Sequence, residues 1–170
     1  DIRSENLVDF ANLFIVNNTG DESVSLVGAT VETGISMNLN IYLTEEQRVD
    51  AIVVSGSAGG DNVAVSLDAN QGAAVDLAGN SNSQGLGIQV SESDDVILPD
   101  LLEVNMYFGT GELTLFASET IENLNVSRVF LSDVGGTFSL PLNDSNITVP
   151  KGSTITLELS EETRISALRM

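Results

Sequence analysis

Carboxylates concentrate in one short stretch of the chain, Ser91–Asp95, and another follows at Asp100. Four carboxylates within nine residues of predicted loop could supply the hard oxygen ligands that Ca²⁺ prefers. The spacing differs from that of an EF-hand loop, and the central glycine of such a loop is missing. The sequence therefore suggests calcium as a cofactor, against the alternative of acid-rich turns surrounded by solvent cations. The predicted ligands are Glu92, Asp94, Asp95 and Asp100.

A second loop could offer oxygen ligands of the same kind. It joins Gly59 and Gly60 to Asp61 and Asn62, with Ser57 close by in the sequence. We treat it as a second candidate for a calcium ion, with the same solvated alternative.

Four Asn-x-Ser/Thr triplets occur, and none has proline in its middle position. Such triplets accept N-linked glycans in secreted proteins, so four together suggest a glycosylated surface protein. Chance occurrence in a chain rich in Asn, Ser and Thr is the alternative. The predicted acceptors are Asn17, Asn125, Asn143 and Asn146, of which the last two are the most loop-like.

Enzymatic chemistry has little support in the sequence, and we expect no enzyme. The chain has no Cys and no His, which removes thiol nucleophiles, the Ser-His-Asp arrangement and most transition-metal sites. Acidic pairs are too common here to single out a glycosidase dyad. Aromatic platforms for sugars are also scarce, because the chain has six Phe, two Tyr and no Trp.

The charge balance is strongly acidic, with 25 acidic and 6 basic side chains and a net charge of −19. Such a chain repels phosphate backbones, so we expect no nucleic-acid partner. An excess of Asp and Glu suits a protein that stays hydrated in high salt, where the Debye length falls to about 3 Å. We interpret the composition as halophilic. An ordinary acidic surface protein is the alternative.

These candidate residues must be positioned mainly by β-strands, because the apolar pattern has a period of two. Alternation is clearest over 35–43, where every odd residue is apolar, and it returns over 155–159. Turn signals separate such runs at short intervals, which predicts about ten to thirteen strands. The expected fold class is all-β, an antiparallel β-sandwich or jelly roll. Shorter runs with the same alternation are 24–26, 63–67, 104–106 and 113–115.

One stretch has helical features, since Thr44 is a possible cap with Glu and Gln behind it. We favour a turn there, between strands at 35–43 and 49–54. No linker is evident, so the sequence predicts one domain over 1–170. No run of about 18 apolar residues occurs, so we expect no membrane span.

The N-terminal stretch carries apolar residues without a turn signal before Asn17. An extended segment of this kind could add to the sheet edge of a neighbouring subunit and build an open polymer. The alternative is that residues 1–17 form the first strand of their own sandwich. The residues predicted for a donor strand, within 1–10, are Ile2, Leu7, Val8 and Phe10.

The segment 10–20, leading into 23–26, resembles the "F-x-V-x-N-x-G" strand and turn of the camelysin and TasA-like extracellular fibre proteins, including archaeal bundling-pilus relatives. Residues 77–81 and 85–90 are similar to a later strand-turn-strand of that group, so the resemblance covers about 8–92. It implies a secreted jelly-roll subunit that polymerises by strand donation into pili or biofilm matrix fibres.

Together these observations lead to an expected function. The chain is expected to be an extracellular or cell-surface structural subunit that assembles with itself by donor-strand complementation. The alternative is a calcium-assisted carbohydrate-binding or adhesion module of a cell envelope or virion, with glycans as partners.

Overall fold

The computed structural model describes residues 8–32 and 38–170 in full, and the backbone of 2–3 and 35–36. The protein is mostly β, with 39% of residues in strands and 14% in helices, and its strands pair antiparallel. This confirms the predicted fold class, while the jelly-roll topology stays a prediction. The chain divides into two compact units, Asp1–Val96 and Ile97–Met170. A single domain over 1–170 stays a prediction.

The first unit is built on a four-stranded sheet whose neighbouring strands are, in order, Ser23–Ser25, Leu13–Asn17, Val65–Ala69 and Gly85–Gln89. It also has two short ribbons, which pair Ile2–Arg3 with Ile35–Ser36 and Thr30–Val31 with Ile41–Tyr42. A 3₁₀ turn over Phe10–Asn12 precedes the sheet. The elements are β1 (Ile2–Arg3), β2 (Leu13–Asn17), β3 (Ser23–Ser25), β4 (Thr30–Val31), β5 (Ile35–Ser36), β6 (Ile41–Tyr42), α1 (Glu45–Val53), β7 (Val65–Ala69) and β8 (Gly85–Gln89).

The second unit has a four-stranded sheet whose neighbouring strands are, in order, Asn146–Val149, Gly152–Glu158, Glu112–Ile121 and Leu101–Tyr107. A separate ribbon pairs Phe130–Ser132 with Ser139–Pro141. A 3₁₀ turn occupies Val126–Arg128. The elements are β9 (Leu101–Tyr107), β10 (Glu112–Ile121), β11 (Phe130–Ser132), β12 (Ser139–Pro141), β13 (Asn146–Val149), β14 (Gly152–Glu158) and α2 (Glu161–Ala167).

Each unit has its own apolar core. In the second unit, β10 and β14 place Leu113 opposite Leu157 and Leu115 opposite Ile155, and all four side chains are buried. In the first unit, Leu13 packs with three residues from neighbouring loops, and Val24, Val54 and Val65 form a further cluster. Alternation places the strand residues of each core on one face of their sheet, so the apolar period of two correctly predicts which face is buried.

The region 35–54 differs from its prediction. The structure has two short strands of two residues each, β5 and β6, instead of one strand over 35–43. It also has the helix α1 where a turn and a strand over 49–54 were favoured. A complete capping box explains the helix, because the Thr44 hydroxyl accepts from the Gln47 amide nitrogen while the Gln47 side chain accepts from the Thr44 amide.

Of the other predicted strands, 104–106 and 113–115 lie within β9 and β10, whereas 24–26, 63–67 and 155–159 overlap β3, β7 and β14 only in part. The described part of the chain also contains α2, a second α-helix that the sequence analysis did not anticipate. Between β8 and β9, residues 90–100 have no regular structure, and Val96, Ile97 and Leu98 are each at least three-quarters exposed. Within the described residues, no helix has the length and apolar character that crossing a membrane requires.

Candidate functional site

The first unit contains an open apolar groove on the core face of its four-stranded sheet. One wall is formed by Ile15 of β2 and Leu67 of β7, which are register partners. The other wall is formed by Ile41 of β6 and by Ala51 and Ile52 of α1. The groove has a volume of about 380 Å³ and opens to solvent. It can therefore accommodate several side chains of an apolar ligand.

The groove exists because the second layer covers only part of the sheet. Alternate residues of β2 and β7 point to the core face, and at one end Leu13 is buried. Further along, Ile15, Leu67 and Ile41 remain only half-buried. Leaving such side chains in contact with water forgoes burial free energy of about 25 cal/mol per Å². A partner that covers them would recover that free energy.

Helix α1 is fixed in place by Gln47, which is 6% exposed. Its side-chain nitrogen donates hydrogen bonds of 2.9 Å to the backbone carbonyls of both Ser25 and Val27. Its side-chain oxygen accepts from the Thr44 amide at 3.0 Å. One side chain thus completes the helix cap and ties the helix to the end of β3, which holds the groove wall rigid.

The rim of the groove carries charge. Arg48 of α1 donates to Asp95 at 2.6 Å and to the carboxylate of Glu45 at 2.8 and 2.9 Å. The hydrogen bond from Arg48 to Glu45 is the main cause of a raised pKa for the guanidinium. The arginine therefore stays charged and links the helix to the acidic segment Ser91–Asp95.

The acidic segment holds a neighbouring loop by its backbone. One oxygen of Glu92 accepts from the amide of Gly56 and the other from the amide of Val65, each at 2.9 Å. An oxygen of Asp94 accepts from the amide of Ala58 at 3.0 Å. The two loops predicted as separate calcium candidates are thus neighbours, joined by amide-to-carboxylate hydrogen bonds.

These contacts bear on the predicted calcium ligands. Glu92, Asp94 and Asp95 all accept hydrogen bonds, and Asp100 belongs to the second unit. In the second candidate loop, Asp61 accepts from the amide of Val63 at 2.8 Å. Across 8–32 and 38–170, no three acidic side chains lie together as an ion would need. Calcium binding stays a prediction.

Gly60 closes the loop after α1 at very short range. A Cβ at this position would collide with the backbone carbonyl oxygens of Ser55 and Ile52. The Gly60 amide donates to the Ser57 carbonyl at 3.0 Å. The close approach needs glycine, which explains why a glycine pair follows the helix.

The predicted glycan acceptors differ in their surroundings. Asn125, Asn143 and Asn146 are exposed, as an acceptor must be. Asn17 is 5% exposed within β2, and its side-chain oxygen accepts from the Thr19 hydroxyl at 2.8 Å. A glycan at Asn17 would require the strand to open, so the structure disfavours this acceptor. Modification of the other three stays a prediction.

The predicted donor residues lie partly inside the first unit. Val8 bridges to Ala74, and Val8 and Phe10 pack against the cluster that contains Leu13. The backbone of Ile2 pairs with that of Ser36, and Leu7 lies outside the described residues. These contacts agree with the alternative in which the N-terminal stretch belongs to its own unit. Donation to a neighbour stays a prediction.

The groove itself was not predicted from the sequence. The available signal was the capping box of Thr44 and Gln47, which predicts a helix where a turn was favoured. With that helix in place, Ala51 and Ile52 would have been assigned to a wall facing the sheet.

Fold and groove together define an antiparallel, mostly β protein with an open apolar groove. The chain matches no protein-family model, and it has no significant match among curated proteins or solved structures. The similarity to fibre proteins therefore stays a resemblance.

Proposed function

We propose that this protein is a structural subunit of an extracellular filament, and that its groove accepts an apolar strand from a second copy. The observation that carries the proposal is the incompletely covered sheet face, where Ile15, Leu67 and Ile41 line an open groove. In a single copy these side chains stay in contact with water, and a second copy that covered them would add stability. The same need is the basis of donor-strand complementation.

The shape of the groove suits an extended segment. The wall formed by β2 and β7 runs along these two strands. A strand lying along that wall would present every second side chain to its apolar residues. Burial of each Val, Leu or Ile side chain contributes roughly 1.5–3 kcal/mol. Three such side chains give enough to offset much of the entropic cost of association.

The first ten residues supply the proposed donor. In an extended segment Ile2, Val8 and Phe10 share one face, because their numbers differ by even steps. Val8 and Phe10 already pack on the buried cluster that contains Leu13, and Ile15 and Leu67 pack against that same cluster. In a filament, the segment of one copy would leave its own unit and lie in the groove of the next copy, and the contact would propagate head to tail.

Few described contacts would have to break for this exchange. Val8 makes an isolated bridge with Ala74, and the Asp9 amide donates to the Ala73 carbonyl at 2.8 Å. Releasing these contacts, together with the two-residue pairing of Ile2–Arg3 with Ile35–Ser36, costs less than unfolding the sheet. The segment can therefore leave while the unit stays folded.

The net charge of the chain indicates the salt conditions under which the filament would form. Copies with a net charge of −19 repel each other strongly until salt screens them. An extracellular, salt-rich location, an archaeal source and glycans on the exposed sequons are parts of this proposal. A calcium-assisted glycan-binding or adhesion module ranks second, because Glu92 and Asp94 already accept backbone hydrogen bonds.

The test is to fill the groove. Ala51→Trp places a large ring in the groove from α1, whereas Val53→Trp places the same ring on an exposed position of that helix outside the groove. At molar salt we expect filaments from wild type and Val53→Trp by negative-stain electron microscopy, and monomers from Ala51→Trp. Circular dichroism checks that both variants are folded. Filaments from Ala51→Trp, or monomeric wild type with or without Ca²⁺, would overturn the proposal.

A further inference from the structure

The second unit contains a small pocket between β12 and the end of α2. Its volume is about 320 Å³, which lies at the lower end of the range for ligand pockets. The lining combines three apolar side chains with two hydroxyls and one guanidinium. The lining residues are Phe138, Ser139, Leu140, Ser166, Arg169 and Met170.

Both walls of the pocket are held in place by contacts within the unit. On one side, Leu131 of the β11-β12 ribbon packs against the buried cluster of the second unit, and Leu142, which directly follows β12, is fully buried. On the other side, Asp144 accepts hydrogen bonds from the Ser160 hydroxyl at 2.5 Å and from the Thr163 hydroxyl at 2.9 Å, at the start of α2. The pocket is therefore preformed, so a ligand would have to order little of the protein.

Arg169 gives this pocket a cation that has no partner within the unit. Its guanidinium forms no ion pair or hydrogen bond with any described residue, although the chain carries 25 acidic side chains. The planar group therefore keeps its N–H donors available for an anion. Three other cations of the described chain are paired: Arg48 with Glu45 and Asp95, Lys151 with Glu122, and Arg164 with Glu161.

Negative charge is scarce around Arg169. The segment 129–142, which includes the ribbon, has a single charged residue, Asp133, and its carboxylate accepts from the Phe138 amide at 3.0 Å. On α2, both acidic residues lie in the first turn, at the opposite end of the helix from the pocket. An anion in the pocket would thus meet little local repulsion, and salt screens the more distant acidic groups of the chain.

We propose that this pocket binds a small organic carboxylate with an apolar body, such as an arylacetate or a short fatty acid. The Arg169 guanidinium would hold the carboxylate through two parallel hydrogen bonds. Phe138, Leu140 and Met170 would cover the apolar body. The site lies wholly in the second unit, so the proposal does not rest on the groove of the proposed function.

The lining favours this class of ligand over others of similar size. In the unliganded pocket, Phe138 is 66% and Met170 is 43% exposed, so a ligand with an apolar body removes apolar surface from water. Inorganic phosphate offers no such surface, and the hydroxyls of a uronic acid leave it little. An amine would be repelled by Arg169, and a neutral alcohol would leave the guanidinium without an anion.

The test is a titration of the isotope-labelled chain with phenylacetate, followed by NMR at the lowest salt concentration that keeps the protein folded. We expect saturable shifts at the amides of Ser139, Ser166 and Arg169, with a dissociation constant on the order of 1 mM. Two comparison ligands separate the contributions, because glucuronate keeps the charge without the apolar body and phenylethanol keeps the ring without the charge. Each should bind roughly tenfold more weakly than phenylacetate.

Two matched variants test the role of the cation. Arg169→Gln removes the guanidinium from the pocket, whereas Arg128→Gln removes an exposed guanidinium that also lacks an ion pair among the described residues and lies outside the pocket. We expect roughly tenfold weaker binding of phenylacetate to Arg169→Gln and unchanged binding to Arg128→Gln. Circular dichroism checks that both variants are folded.

The outcomes that overturn the proposal are equally specific. They are equal affinities in the two variants, glucuronate or phenylethanol binding as tightly as phenylacetate, and the absence of a saturable shift at the pocket amides. Ala51→Trp, which fills the groove of the first unit, should bind phenylacetate like wild type. Failure of the groove and failure of this pocket are therefore distinguishable.

Discussion

The side-chain amide of Gln47 donates a hydrogen bond of 2.9 Å to the backbone carbonyl of Ser25, twenty-two residues earlier in the chain. This contact joins the first turn of α1 to the end of β3. It fixes how far the helix stands from the sheet, and thereby the width of the groove between them. A polar residue that begins a helix therefore also sets the geometry of an apolar surface.

Replacement of Gln47 should loosen that wall. Gln47→Ala removes the bonds to Ser25, Val27 and Thr44, so we expect a loss of about 2–3 kcal/mol in the free energy of unfolding. Urea denaturation followed by circular dichroism measures it. Gln84→Ala is the control, because Gln84 is exposed and makes one side-chain bond of 3.2 Å. Equal losses in the two variants would show that the hydrogen bonds of Gln47 contribute no more to the free energy of unfolding than one exposed hydrogen bond.

Gln47→Glu tests the donor role with a pH dependence. The new carboxyl would face two carbonyl oxygens and could donate only when protonated, so its pKa should be raised. Its favourable contact would be present at low pH and lost as the pH rises through that raised pKa. We expect the stability gap to wild type to widen between about pH 4 and pH 7. A gap that stays constant with pH would contradict this account.

Glu92 should stabilise the loop after α1 by accepting hydrogen bonds from two backbone amides, those of Gly56 and Val65. Glu92→Ala removes two acceptors from a half-exposed site, so we expect a loss of about 1–2 kcal/mol. Hydrogen exchange measured by NMR should accelerate at the amides of Gly56 and Val65. Glu46→Ala, an exposed change on α1, is the control. If added Ca²⁺ stabilised wild type and not Glu92→Ala, calcium binding would explain the role of Glu92 better than its hydrogen bonds to the two amides.

Asp144 should give the second unit an acid-sensitive contact. Hydrogen bonds from the Ser160 hydroxyl, and then from Thr163, lower the pKa of this carboxyl. A depressed pKa stabilises the fold above the ordinary aspartate range, near pH 4, and that contribution is lost as the pH falls through the lowered value. Asp144→Asn should therefore flatten the acid side of a stability profile measured by urea denaturation. Asp21→Asn, at an exposed carboxylate, is the control for the loss of one negative charge.

Gly60 should tolerate no side chain. Gly60→Ala forces a Cβ onto the Ser55 and Ile52 carbonyls, so we expect a loss of about 1–3 kcal/mol. Gly109→Ala is the matched control, because a Cβ there meets nothing within 4 Å. Thermal unfolding of the two variants measures the contrast. A Gly60→Ala protein as stable as its control would mean that the loop can move away at little cost.

The strands could be predicted and the groove could not, for a physical reason. Alternation in 113–115 and 155–159 depends on immediate neighbours, and the structure confirms it in β10 and β14. In 44–54 the strand pattern competed with a helix cap, and the cap prevails because Gln47 also bonds to distant carbonyls. Likewise, whether Ile15 and Leu67 are covered depends on residues far away in the sequence. An uncovered surface is a property of the whole unit.

The segment between β8 and β9 has a consequence for resistance to proteolysis. Val96–Leu98 displays apolar side chains in a stretch without regular structure, which is what extracellular proteases attack. The peptide bond after Leu98 would suit chymotrypsin, which cleaves after large apolar residues. The next residue is Pro99, however, whose ring replaces the amide hydrogen and fits poorly in a protease cleft. Chymotrypsin should therefore cut Pro99→Ala after Leu98 and spare wild type there, as mass spectrometry of the fragments would reveal. A single proline would thus protect a strongly exposed apolar segment of the chain.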